Sequence, residues 1–278
     1  MKIAFAISFL SLIVGLIGFI FHAFGRDKKY FRVATLSTLL STLSLTVLII
    51  LQGAKHGFKP VDYLAQPCNI LAWIMLVSYF YAEYKFKIRI LGSLFIPIVA
   101  ILMLVPAFTG PVPESVETLK SPFFINLHVV LLLTSFAFFF LAFALGVIYI
   151  IKTRALKSHT SEALNDDLPS LGKLQKIFES VFYLGWITMT VGFILAILNI
   201  AISESSLDLD PKIIFGSVLW IIYSILFFAY QSGKLGTRNL ARAVTFLFIA
   251  FLAFWVAFSS NFIGPGSKAE TPQMEEGA

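Results

Sequence analysis

Cut at every aspartate, glutamate, lysine and arginine, this 278-residue chain leaves eight uncharged runs of twenty residues or more. They are Ile3–Gly25, Val33–Ala54, Tyr63–Ala82, Ile90–Pro113, Ser121–Ile151, Ser180–Ser203, Ile213–Gly233 and Ala243–Ser267. A water-soluble core would interrupt such runs with polar faces. Hydrocarbon offers no partner for backbone N–H and C=O groups, so segments this long must satisfy themselves as helices. The expected class is an all-α, polytopic integral membrane protein with eight transmembrane helices. Charged residues make up 13% of the chain, against about 25% in an average soluble domain.

The longest run spans 31 residues, Ser121 to Ile151. As a helix it would measure about 45 Å, longer than the roughly 30 Å hydrocarbon core, so it must tilt or project. Its single group that can be charged near neutral pH, His128, sits near one end.

The charge lies between the runs. Taking alternate loops, one set carries 15 of the 21 lysines and arginines (among them Arg26, Lys28, Lys29, Lys85, Lys87, Arg89, Lys152, Lys176, Lys234 and Arg242) and the other carries 6. The positive-inside rule puts the richer set in the cytoplasm and both termini on the outer side. A net charge of +6 placed this way points to membrane lipids and not to nucleic acid. The first run exceeds a signal-peptide h-region and has no A-x-A site after it, so it reads as a retained helix. Cys68 is the one cysteine, which excludes an internal disulfide, a C-x-x-C-H haem attachment site and a Cys-rich metal cluster; beside Pro67 it reads as a small apolar residue.

The spans are expected near 2–24, 33–52, 65–84, 88–107, 122–151, 174–201, 211–231 and 241–262. They form a single membrane domain over residues 1–263, with a disordered polar tail at 264–278. Serines and threonines of the second span suit helix–helix contact. Pro97 should kink the fourth. Glu179 falls near the inner interface, and Asp210 before Pro211 suits a helix cap. The thirty phenylalanines read as lipid-facing or packing residues.

Absences narrow the chemistry. No span carries a carboxylate, lysine or arginine at mid-membrane depth, which disfavours an ion-coupled transporter. There is no Walker A, H-E-x-x-H or G-x-S-x-G motif, so nothing supports an ATPase, zinc protease or serine hydrolase. Histidines remain. His56, in the outer loop after the second span, and His128 share a depth, whereas His22 and His159 lie inside. Two imidazoles can ligate a haem iron axially, and Lys55, Lys59 or Lys212 could meet its propionates. The alternative for each histidine is a hydrogen-bonded packing residue.

Several pieces carry a family resemblance. They are NILAWIMLVSYFYAEY, LHVVLLLTSFAFFFLAFALGVIYI, LPSLGKLQKIFESVFYLGWITMTVGFILA and DPKIIFGSVLWIIYSILFFAYQSGKLGTRNLARA. Together they resemble the cytochrome c assembly protein family of CcsA, CcmC and HemX type, closest to its HemX/YpjD-like branch. The resemblance implies haem handling at the outer face of a bacterial inner (cytoplasmic) membrane, with apocytochrome c or another assembly protein as partner. It implies an assembly factor or haem chaperone more than an enzyme. Asp210, Pro211, Lys212, Trp220 and Tyr223 match the end of the family's tryptophan-rich outer segment and the helix after it, and His128 matches its LH-helix histidine. His56 lies in the loop of the first flanking histidine. SESSLDLDPK lacks that segment's tryptophans, and SSNFIGPGSK has no second flanking histidine. Such thinning fits a haem-binding scaffold better than a full haem lyase. The alternative is a haem-free, HemX-like membrane anchor or regulator of a tetrapyrrole-biosynthesis enzyme, docking through Lys152–Lys176.

Overall fold

One helix lies in each uncharged run. The computed structural model describes residues 1–25, 27–56, 65–108, 122–157, 169–203 and 211–262, and no strand occurs among them. The helices are α1 Lys2–Gly25, α2 Lys28–His56, α3 Ala65–Phe86, α4 Leu91–Phe108, α5 Pro122–Lys157, α6 Leu171–Ser203, α7 Pro211–Gln231 and α8 Thr237–Phe262. Five of them (α1, α2, α5, α6 and α7) are long and apolar enough to cross a membrane, and α4 adds a shorter apolar stretch, Leu91–Val105. The protein is therefore a multi-pass, all-α membrane protein.

Several helices extend beyond the expected spans because capping groups and good helix formers flank them. Asp27 accepts the Lys29 N–H at 2.9 Å, which starts α2 at Lys28 rather than Val33. That helix also continues through its polar end, so the backbone of His56 closes α2 instead of lying in a loop. Ser170 plays the capping part for α6, its Oγ accepting the Lys173 N–H at 3.4 Å while its carbonyl accepts the first helical bond, from Leu174 N–H, at 2.9 Å. The helix α5 runs for 36 residues, about 54 Å, and ends on Lys152, Arg154 and Lys157. Pro97 sits within α4, which is assigned as one continuous helix. Gly233 takes a left-handed φ of 72° in the α7–α8 turn, a conformation that glycine adopts without steric cost.

The helices form two rings with the same connectivity. In the first, α1 packs on α2, α2 on α3, α3 on α4, and α4 back on α1. In the second, α5 packs on α6, α6 on α7, α7 on α8, and α8 back on α5. The two are joined where α3 meets α5. The second ring is filled with aromatic side chains: Phe139 stacks on the buried Tyr223 at 3.9 Å, and Phe140 and Phe143 flank Phe248. Phe19, Phe95, Phe140, Phe178, Phe182 and Phe248 are among the largest fully buried side chains, so many phenylalanines pack rather than face lipid. Cys68 is half-buried and free.

Small residues set the α1–α2 seam, as the serines and threonines of α2 suggest. Ser8 donates to the Ser41 carbonyl at 2.9 Å, with both residues buried. A side chain on Gly18 would meet Ala34 Cβ at 2.9 Å and its Cα at 3.2 Å. Much of that obstacle is main chain, which cannot rotate away. Gly18→Leu is therefore expected to cost about 1–3 kcal/mol, read as a lower thermal midpoint of the detergent-solubilised protein. A midpoint equal to wild type would contradict the close α1–α2 approach.

Candidate functional site

His128 lies early in α5, where Pro122 occupies the first helical position and Asn126 follows within the first turns. Its ring Nδ1 is 2.7 Å from the Gly192 carbonyl oxygen of α6. A carbonyl only accepts, so Nδ1 carries the proton in this bond. In the neutral ring Nε2 then holds the lone pair. A histidine whose other nitrogen is tied to a backbone carbonyl is the arrangement commonly found behind metal-bound imidazoles.

Glycine is what lets α6 come close enough. A Cβ on Gly192 would stand 3.2 Å from Leu132 Cδ2 and 3.4 Å from Leu131 Cβ. Gly185, seven residues earlier on α6, would meet the Phe139 ring at 3.0 Å. The two glycines thus share a stripe of α6 that faces α5.

Another face of α6 holds α7. Trp220 Nε1–H donates to Thr190 Oγ1 at 3.0 Å, and its indole stacks on Phe193 at 5.2 Å with the planes 2° apart. One indole–hydroxyl pair lies deeper, from Trp186 to Ser224 at 2.9 Å. Gly192, Thr190 and Phe193 occupy the same turn of α6, so His128 and Trp220 grip one level of that helix from different sides. These contacts cast Trp220 as a brace between α6 and α7, with α6 lying between it and His128.

The other expected site residues fall at the edges. Lys212 is the second residue of α7, and Asp210 lies outside the described residues, as do Lys59 and His159. His22 sits at the opposite end of the bundle, its Nδ1 3.1 Å from the Asp27 carbonyl. No group of three or more histidines, cysteines or carboxylates gathers as a metal site among the described residues. A haem needs less than that: one axial nitrogen with its lone pair available and an apolar surround. His128 fits the first requirement, and Leu131 and Leu132, which line its approach to Gly192, fit the second.

Two features escaped the sequence reading. Gly192, with Thr190 and Phe193, completes the His128 and Trp220 settings; the seven-residue glycine spacing on α6 was the available signal, since small residues mark close helix pairs. At the opposite end, Glu179 Oε1 accepts from Gln175 at 2.8 Å, from Thr237 at 3.3 Å and from the Tyr230 hydroxyl. That carboxylate ties α6, α7 and α8 together, and only Glu179's depth was foreseen.

The chain matches the family described as Cytochrome C assembly protein over residues 1–267. The chain belongs to that family. Among its relatives is the cytochrome c biogenesis protein CcsA of Guillardia theta, 23% identical, with 94% of this chain and 93% of the relative covered. The CcsA of Porphyra purpurea is 24% identical over 88% of each chain. Protein HemX of Brevibacillus brevis is 25% identical over 79% of each. No solved structure matches.

Proposed function

We propose that this member of the cytochrome c assembly family binds or positions haem near the outer face of the membrane, in support of cytochrome c biogenesis. In this reading the chain crosses a bacterial cytoplasmic membrane eight times, with both termini outside. The observation that supports it best is the bond from His128 to the Gly192 carbonyl, which orients the ring and leaves Nε2 as the basic nitrogen. His128 would hold the haem iron, and His56, at the end of α2, would supply a second nitrogen. Trp220 holds α7 against α6 beside the site, and Asp210 and Lys212 would be polar partners of the haem, the lysine for a propionate. The delivered group passes to apocytochrome c or to another assembly protein.

The test is an absorbance spectrum of the purified protein before and after haem is supplied. A Soret band is expected, and His128→Ala should weaken haem retention about tenfold or more, with partial recovery on adding free imidazole. Absence of a band after haem is supplied, or a band that His128→Ala leaves unchanged, would overturn the assignment.

The similarity to Protein HemX favours a second reading, a haem-free anchor for a biosynthetic enzyme. It predicts a partner captured by the intact protein and lost when the segment between Lys152 and Lys176 is replaced by glycine and serine. Equal capture by an unrelated membrane protein would refute it.

A further inference from the structure

At the basic end of the first ring, a cavity of about 390 Å³ opens between the start of α2, the end of α3 and the α3–α4 turn. Phe31 and Phe80 give it apolar walls, and Glu83, Lys87 and Arg89 give it charge. The Arg89 guanidinium lies over the Phe31 ring, 5.2 Å from its centre. Glu83 Oε2 is buried with no hydrogen bond of good geometry, and the carboxylate faces the Tyr79 hydroxyl, one turn back on α3, and the Arg89 guanidinium. Buried acceptors of this kind are costly and therefore uncommon.

Lys87 adds an independent observation. Its φ is +57°, the one positive value of a non-glycine residue among the described residues, and its N–H closes α3 onto the Glu83 carbonyl at 2.8 Å. This is the helix-ending position at which glycine is the stable choice and asparagine the usual second. A lysine here strains the backbone while placing an ammonium group at the cavity wall. Strain kept at a lined cavity points to a use for the side chain.

We propose that this cavity binds a phosphoethanolamine group, as carried by phosphatidylethanolamine at the membrane surface. The phosphate sits between Lys87 and Arg89, and the primary ammonium is directed toward the Glu83 carboxylate. Two cations beside one carboxylate complement a zwitterion. A purely anionic glycerol headgroup offers no charge to Glu83, and a quaternary choline offers it no N–H donor. The location suits a lipid source, because basic residues at the ends of spans meet headgroups there. The inference is independent of the haem reading, since it uses none of that site's residues and lies at the other end of the helices.

The experiment is native mass spectrometry of the full-length protein released from detergent. Chain-matched phosphatidylethanolamine, phosphatidylglycerol and phosphatidylcholine are added separately, with soluble O-phosphoethanolamine as a further arm. Phosphatidylethanolamine is expected to bind about tenfold more tightly than the other two lipids, the scale of one charge-assisted hydrogen bond. Binding of O-phosphoethanolamine with similar affinity would identify the free small molecule as the source, and its failure to bind would identify the lipid.

Lys87→Gly removes the ammonium and also relieves the backbone. It should melt no lower than wild type yet bind phosphatidylethanolamine about tenfold more weakly. Glu83→Gln should erase the preference over phosphatidylglycerol. Equal binding of all three lipids by wild type, or unchanged phosphatidylethanolamine binding in Lys87→Gly, would overturn the proposal.

Discussion

Replacing Gly192 by leucine is expected to cost about 3 kcal/mol of stability and to remove the His128 site without touching the histidine. Even an added Cβ is crowded, so that its neighbour must give by a few tenths of an ångström: Leu132 Cδ2 would lie at 3.2 Å, with Leu131 Cβ at 3.4 Å and the His128 carbonyl oxygen at 3.6 Å. A leucine must push α5 away from α6, and a 2.7 Å bond does not survive such a shift. The readouts are the thermal midpoint in detergent and haem retained per protein, both of which should fall. Gly192→Ala serves as the graded control. Its nearest obstacle is the far end of a leucine side chain, which can turn, so a loss below about 1 kcal/mol is expected. Gly216, on α7, has nothing within 4 Å of an added Cβ. Gly216→Ala should be neutral or stabilising by about 0.5 kcal/mol through helix propensity. If Gly192→Leu and Gly216→Ala melt alike, the close α5–α6 packing is wrong.

The second large effect is expected at Glu179. Its Oε1 gathers donors from Gln175, Tyr230 and Thr237, which lie on α6, α7 and α8. Glu179→Leu leaves those donors without their shared acceptor, and hydrogen bonds to a charged oxygen are among the stronger ones. These residues are partly exposed, so water replaces some of what is lost, and a cost of about 1–3 kcal/mol is expected. Glu179→Gln keeps one acceptor oxygen and should lose less. The order expected in thermal midpoints is wild type, Glu179→Gln, then Glu179→Leu. A reversed order would mean that the carboxylate does not hold these helices together.

The helices themselves were legible because charge punctuates this chain so sharply. Run boundaries fell close to helix boundaries, and misses came where a polar helix former or a cap carried the helix outward, as at Lys28 and His56. How the helices surround one another was not legible. Ring closure depends on which side of α1 meets α4 and which side of α5 meets α8, and nearly uniform apolar spans carry little periodic signal to say so. The His128 setting was half legible. The histidine stood out as the one group of its run that can be charged near neutral pH, but its partner is a backbone carbonyl 64 residues away, which no side-chain pattern announces. Trp220 was singled out through family resemblance; its bond to Thr190 and its stack on Phe193 show a mechanical part that the resemblance did not contain.

The paired rings bear on how the chain is made. The first ring is closed by its own first and last helices, so its internal contacts form within residues 1–108, before α5 adds its packing on α3. Since folding units generally form in order of synthesis, a finished half-molecule can already stand in the bilayer while the ribosome is still producing α5. That half then offers α3 as the surface on which α5 settles. A ribosome stalled after α4 should accordingly yield a protease-resistant fragment, whereas one stalled after α7 should add only a protected first half and a cleavable remainder.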